Sequence, residues 1–138
     1  MHTPGTKRRY EVSIPAKVDA ISPAVEAIMS QLQESERGKR NAFAIETALR
    51  EALANAILHG CKGDMTKQVH CEVVWDKTEG VEMLVRDPGE GFDPDSLSDP
   101  LHHENLHADH GRGIYLIRHL MDEVEYANGG REIRMRKS

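Results

Sequence analysis

Residues 51–60 read EALANAILHG, and this decapeptide decides how the chain is built. Ala, Leu and Ile fill most of it, the composition of a helix with a buried face. Yet Glu51, Asn55 and His59 recur at i, i+4 and i+8. On a helix that spacing stacks a carboxylate, an amide and an imidazole along one slowly drifting line. Just upstream, Ile45, Leu49, Ala52 and Ala56 are spaced 4, 3 and 4 apart, a stripe that seats the helix on a core. Asn41 is placed to cap this helix, which runs to about His59, and Gly60 supplies its stop.

Outward from this helix the pattern alternates between strands and helices. Tyr10 to Ile14 alternate as a short strand closed by Pro15, after a polar arm over residues 1–9. Ser22-Pro23 reads as a helix start, and Val25, Ile28, Met29 and Leu32 continue it at helical spacing until SERGK breaks it. Val69 to Trp75 and Val81 to Val85 form strands joined by a KTEG turn. A Gly/Pro/Asp-rich loop and a His-rich stretch precede a helix over Ile114 to Met121. Glu123 to Ala127 and Glu132 to Arg136 flank NGG, a hairpin signal. The strands are mostly hairpin-linked. The expected fold is therefore an α/β (α+β) two-layer sandwich, with a mixed, largely antiparallel sheet and helices on one face.

With 138 residues the chain is expected to form one domain over residues 10–138. A net charge of −5 argues against a basic nucleic-acid-binding face. No apolar run reaches the ~18 residues of a membrane span, and MHTPGTKRR lacks the apolar middle of a signal peptide. A cytoplasmic location is the expectation. Cys61 and Cys71 are too few for a disulfide framework and read as free thiols.

Three stretches can carry chemistry. In the Glu51/Asn55 column, an amide oxygen suits Mg²⁺ and a carboxylate one turn away can accept a proton from a hydroxyl. The bland alternative is a solvated helix face. In RDPGEGFDP, residues 86–94, Asp87 follows a strand and can accept from an exocyclic amine, while Gly89 and Gly91 let a flat ligand approach the backbone. A surface turn would explain Pro88-Gly89 alone. In HGRGIYLI, residues 110–117, Gly111 and Gly113 precede an apolar helix whose N-terminus attracts phosphate, with Arg112 adding charge. The His-rich run HHENLHADH, residues 102–110, lacks the cysteines or helical Glu of known zinc patterns and reads as a solvated loop.

In this order, ExxxN on a helix, DxGxG after a strand and GxG before a helix resemble the N, G1 and G2 boxes of the GHKL superfamily of gyrase-like and histidine-kinase-like ATPases. Within it the chain resembles the stand-alone anti-sigma factors that act as serine-protein kinases. The matching stretches are EALANAILHG, VRDPGEGFDP and HGRGIYLIRHLMDEVEY, and the likeness runs from Tyr10 to Lys137.

The resemblance implies a Bergerat-type ATP-binding fold, with ATP and Mg²⁺ as cofactors. It implies Glu51 as general base toward a serine or threonine hydroxyl, and Asn55 as the Mg²⁺ ligand. Asp87 would bind the adenine amine, with Gly89 and Gly91 shaping the pocket. Gly111, Arg112 and Gly113 would pass the phosphates, and residues 96–110 would be the ATP lid. The implied partners are a sigma factor and an anti-anti-sigma (STAS-type) protein, bound by a homodimer without direct contact to nucleic acid or membrane. Relatives often place Thr just after the final hairpin glycine; here Arg131 and Glu132 follow Gly130. A non-catalytic ATP-binding module, or an ATPase of another signalling pathway, stays open as an alternative.

Overall fold

Alternating apolar residues in five segments build the sheet, and the alternation fixes which face is buried. The computed structural model describes residues 7–62, 64–76, 80–89 and 116–138. The strands are β1 (Arg8–Pro15), β2 (Gln68–Trp75), β3 (Val81–Arg86), β4 (Glu123–Ala127) and β5 (Glu132–Lys137). Their order is β1-β2-β3-β5-β4, and every neighbouring pair is antiparallel. The last strand in the chain therefore lies between β3 and β4.

Cross-strand rows define the two faces. Tyr10, Val73, Met83, Met135 and Val124 form one inner row, and Val12, Cys71, Val85, Ile133 and Tyr126 the next. Helices α1 (Ile21–Leu32) and α3 (Ala42–Asn55) cover this face, with the short α2 (Glu36–Arg40) between them. Ile28, Leu32, Ile45, Leu49, Leu53 and Ile57 are almost free of solvent contact. Full burial of each such side chain contributes roughly 1.5–3 kcal/mol. Both free cysteines, Cys61 and Cys71, are buried core residues, and desolvation pushes the Cys71 thiol up to about 12.

The outer rows are charged instead. Glu11, Glu72, Leu84, Arg134 and Glu125 stand in register, as do Arg9, Val74, Glu82, Arg136 and Glu123. Glu11 and Glu72 face each other directly, a repulsive pair. The Arg9 guanidinium lies 2.5 Å from one and 2.8 Å from the other and offsets that repulsion.

The expected two-layer architecture is present, and several local expectations are corrected. Arg8 and Arg9, assigned to the arm, pair with Trp75 and Val74 and belong to β1. A 3-10 turn, Val18–Ala20, leads into α1, which starts at Ile21 and not at the Ser22-Pro23 cap. Ser22 instead accepts a hydrogen bond from Arg50 (2.9 Å). SERGK does not simply break a helix: Ser35 caps α2 by accepting from the Gly38 N–H at 3.0 Å. Asn41 stands at the start of α3 but does not cap it. Its Nδ2 donates to the carbonyls of Arg37 (3.0 Å) and Ser138 (2.9 Å), tying the helix start to the residue that follows β5. The NGG turn follows expectation, with Asn128, Gly129 and Gly130 all at positive φ. The KTEG turn includes residues outside the described set. Of the third predicted helix, residues 116–120 are described and helical.

Candidate functional site

Small residues let α3 come close to the sheet at its C-terminal end. Ala52 and Ala56 are nearly buried there, and between them Asn55 turns toward β3 and β5. The result is a crevice walled by Ala52, Ala56, Val85, Tyr126 and Ile133, with Gly130 and Arg131 at its β4–β5 end. Two polar side chains reach into this apolar space, Asn55 and Asp87. A few convergent polar groups on apolar walls are what a small-molecule site requires.

Both polar groups are buried, Asn55 at 4% exposure and Asp87 at 3%. Asp87 sits just past the end of β3. Its main-chain N–H donates to the Arg131 carbonyl (2.9 Å), which extends the sheet pairing by one residue. Its Oδ1 accepts the Gly89 N–H at 2.9 Å. Burial pushes the Asp87 carboxyl above the usual range, while the Gly89 N–H and the charges of Arg131 and Lys67 pull it back. Asn55 Nδ2 has no hydrogen-bond partner among the described residues. An orphaned buried amide is costly unless something else meets it. Glu51 lies one turn earlier on α3 and is only half-buried.

The residues present fit a nucleotide. Asp87 offers carboxylate lone pairs to an exocyclic amine; the orphaned Asn55 Nδ2 can donate to a phosphate oxygen, and the amide oxygen is a suitable ligand for a divalent cation. The comparison with known families settles the class. The family model described as the histidine kinase-like ATPase domain matches residues 14–137. The chain belongs to the histidine kinase-like ATPase domain family. Its architecture agrees with that assignment, and ATP is the nucleotide the family description implies.

Among curated proteins, this histidine kinase-like ATPase domain is similar to the anti-sigma F factor of Oceanobacillus iheyensis, 34% identical over 83 residues. That alignment covers 59% of this chain and 56% of the relative. The anti-sigma F factors of Bacillus thuringiensis and Bacillus mycoides match with the same identity and coverage. The chain thus spans 56% of the length of the curated relatives it matches. These matches bear out the resemblance to the anti-sigma branch. No helix among the described residues is long and apolar enough to cross a membrane.

Of the site residues expected from sequence, the structure brings Asn55 and Asp87 into one crevice, places Gly89 against Asp87, and sets Glu51 one turn away. Gly91, Gly111, Arg112 and Gly113 lie outside the described residues, as does the lid segment 96–110. The third member of the column behaves differently. Beyond Asn55 the helix widens into a π-helical turn, Ala56–Gly60, closed by the Cys61 N–H on the Ala56 carbonyl at 2.8 Å. An i→i+5 turn takes His59 out of the i, i+4 line.

The crevice also uses residues outside the three motifs. Tyr126 lines it from β4, with Arg118 5.8 Å from its ring centre, and burial raises its hydroxyl to about 12. The NGG turn brings Gly130 and Arg131 to one wall. Glu132, next in line, turns away from the crevice. It accepts from Asn128 Nδ2 (3.2 Å) and lies 3.8 Å from Arg134 on the outer face. The one sequence signal for this wall was the hairpin glycine itself.

Proposed function

We propose that this chain is an ATP-dependent protein kinase of the anti-sigma type. It would bind a sigma factor, or a related output protein, and phosphorylate a serine or threonine on a small STAS-type antagonist. The observation that carries the reading is the pair of buried polar side chains, Asn55 and Asp87, facing one crevice from α3 and from the end of β3. The similarity to anti-sigma F factors supports the choice of branch.

Each residue has one task in this reading. Asp87 accepts the base's exocyclic amine and sets the nucleotide's depth in the crevice. Asn55 would hold Mg²⁺ through its amide oxygen, and the ion when bound would supply charge neutralisation at the phosphates. Glu51, half-exposed on the same helix, takes the proton from the attacking hydroxyl. Positioning and charge stabilisation then account for most of the rate.

Incubation with Mg-ATP and a candidate antagonist tests the kinase claim. Transfer of label to the antagonist is the expected result. Clear ATP binding with no phosphoprotein would overturn it in favour of a non-catalytic module, and steady phosphate release without an acceptor would point to an ATPase.

Asn55→Ala separates the Mg²⁺ role from a structural one. Asn55 Nδ2 makes no hydrogen bond to the described residues, so removal of the side chain is expected to change the melting temperature little. Mg-ATP affinity is expected to drop about 10-fold or more, from the loss of one ligand to a charged group. Thermal melting and calorimetry, each with and without Mg²⁺, read the two effects. A variant that loses stability but binds Mg-ATP normally would remove Asn55 from the site.

A further inference from the structure

Gly60 does not end α3 in the way its residue type implies. It is absent from the positive-φ glycines, and the left-handed backbone at this helix end belongs to Lys62, φ 53°. Space, not conformation, demands a glycine here. A Cβ on Gly60 would stand 2.2 Å from Asp87 Oδ2, 2.3 Å from Cγ and 2.6 Å from Oδ1. The Asp87 carboxylate therefore rests on the bare Cα of Gly60. Gly89 completes the interlock: a Cβ there would meet the Gly60 carbonyl oxygen at 1.9 Å, and its N–H holds Asp87 Oδ1.

We propose that Gly60 is a positioning residue for base recognition. By carrying no side chain at the end of the π turn, it lets the Asp87 carboxylate lie in the orientation that presents it to the 6-amino group of a purine. The inference rests on the reading of Asp87 as the amine acceptor.

The two glycines differ in what a methyl group would displace. At Gly60 the obstacle is the end of a side chain, which can rotate about its own bonds. The backbone can stay, while Asp87 leaves its bond to Gly89 and its aim at the base. At Gly89 the obstacle is a backbone carbonyl, and the chain itself must move. Gly60→Ala is therefore expected to fold and to lose discrimination at C6 of the purine.

The test compares ATP with purine riboside 5′-triphosphate, which carries hydrogen where adenine has its amine. Wild-type protein is expected to prefer ATP by about 10- to 100-fold, the worth of a hydrogen bond to a charged group. Gly60→Ala is expected to erase most of that preference by weakening ATP alone, with the analogue within about 3-fold of its wild-type affinity. In an Asp87→Ala background, adding Gly60→Ala should change neither affinity nor melting temperature, because the obstacle is gone.

Equal weakening of both nucleotides in Gly60→Ala, or a preference that survives the substitution, overturns the role of Gly60 and leaves Asp87 in place. Wild-type protein that binds both nucleotides equally refutes Asp87 as the amine acceptor, and the inference with it. Should Gly60→Ala fail to fold, the double variant decides. Folding restored by Asp87→Ala shows that Gly60 exists to seat the carboxylate, and folding lost in both backgrounds overturns the proposal.

Discussion

Asp87→Asn is expected to abolish useful ATP binding while leaving the nucleotide-free protein at least as stable as before at neutral pH. The amide oxygen can keep the bond from the Gly89 N–H, since Oδ1 is the atom that accepts it. The amide nitrogen then takes the place of Oδ2 and meets the base's amine donor to donor. Loss of a charged acceptor together with a donor facing a donor amounts to roughly 100- to 1,000-fold in affinity. Stability moves the other way. Burial raises the Asp87 carboxyl above its unfolded value, so the folded state favours the protonated form. Stability from this group is therefore greatest at low pH, and it falls as pH rises from the unfolded pKa through the raised folded one. At neutral pH a neutral isostere escapes that cost. Calorimetry with ATP and melting without it read the two effects separately. An asparagine variant that binds ATP within about 3-fold of wild type would exclude Asp87 from base recognition.

Glu51→Ala is expected to stop phosphotransfer and spare binding. A positioned general base contributes about 100- to 10,000-fold, and the transfer rate to an antagonist should fall by that factor. The ATP dissociation constant should stay within about 3-fold, because Glu51 stands a turn away from Asn55 and is not among the crevice walls. Glu51→Gln should behave alike, since an amide of the same shape cannot take the proton. Single-turnover assays with labelled ATP, beside nucleotide-binding titrations, make the distinction. Parallel loss of binding and transfer would assign Glu51 to the nucleotide rather than to the hydroxyl.

What sequence could reveal about this protein depended on the range of each signal. The stripe of Ile45, Leu49, Ala52 and Ala56 was legible because a constant helical period holds as far as Asn55. The same period placed Glu51 and Asn55 on one side of α3. It misled at His59, because a π-helical turn is set by i→i+5 bonding that no residue pattern here announces. Ser22 and Asn41 have the chemistry of caps, yet they bond Arg50 and Ser138. Such partners come close only after the chain folds. The contribution of Tyr126 and Ile133 to the wall was hidden for a related reason. Alternation tells which face of a strand is buried but not which strand lies beside it, and β5 faces Asp87 only because it pairs with β3. Gly60 looked like a helix stop in sequence. Its actual constraint is a carboxylate 27 positions later, at Asp87.

The place of β5 between β3 and β4 has a consequence for how the protein comes to life on a ribosome. Synthesis delivers β4 before β5, but β4 has no partner in the sheet until β5 has paired with β3. The Asp87 main-chain N–H likewise waits for the Arg131 carbonyl, and the crevice waits for its Gly130 end. Long-range pairing of this kind comes late and at an entropic cost. A nascent chain that has emerged only as far as β4 therefore lacks a finished site. Until β5 has emerged and paired, the crevice cannot close, however much of the preceding chain has folded.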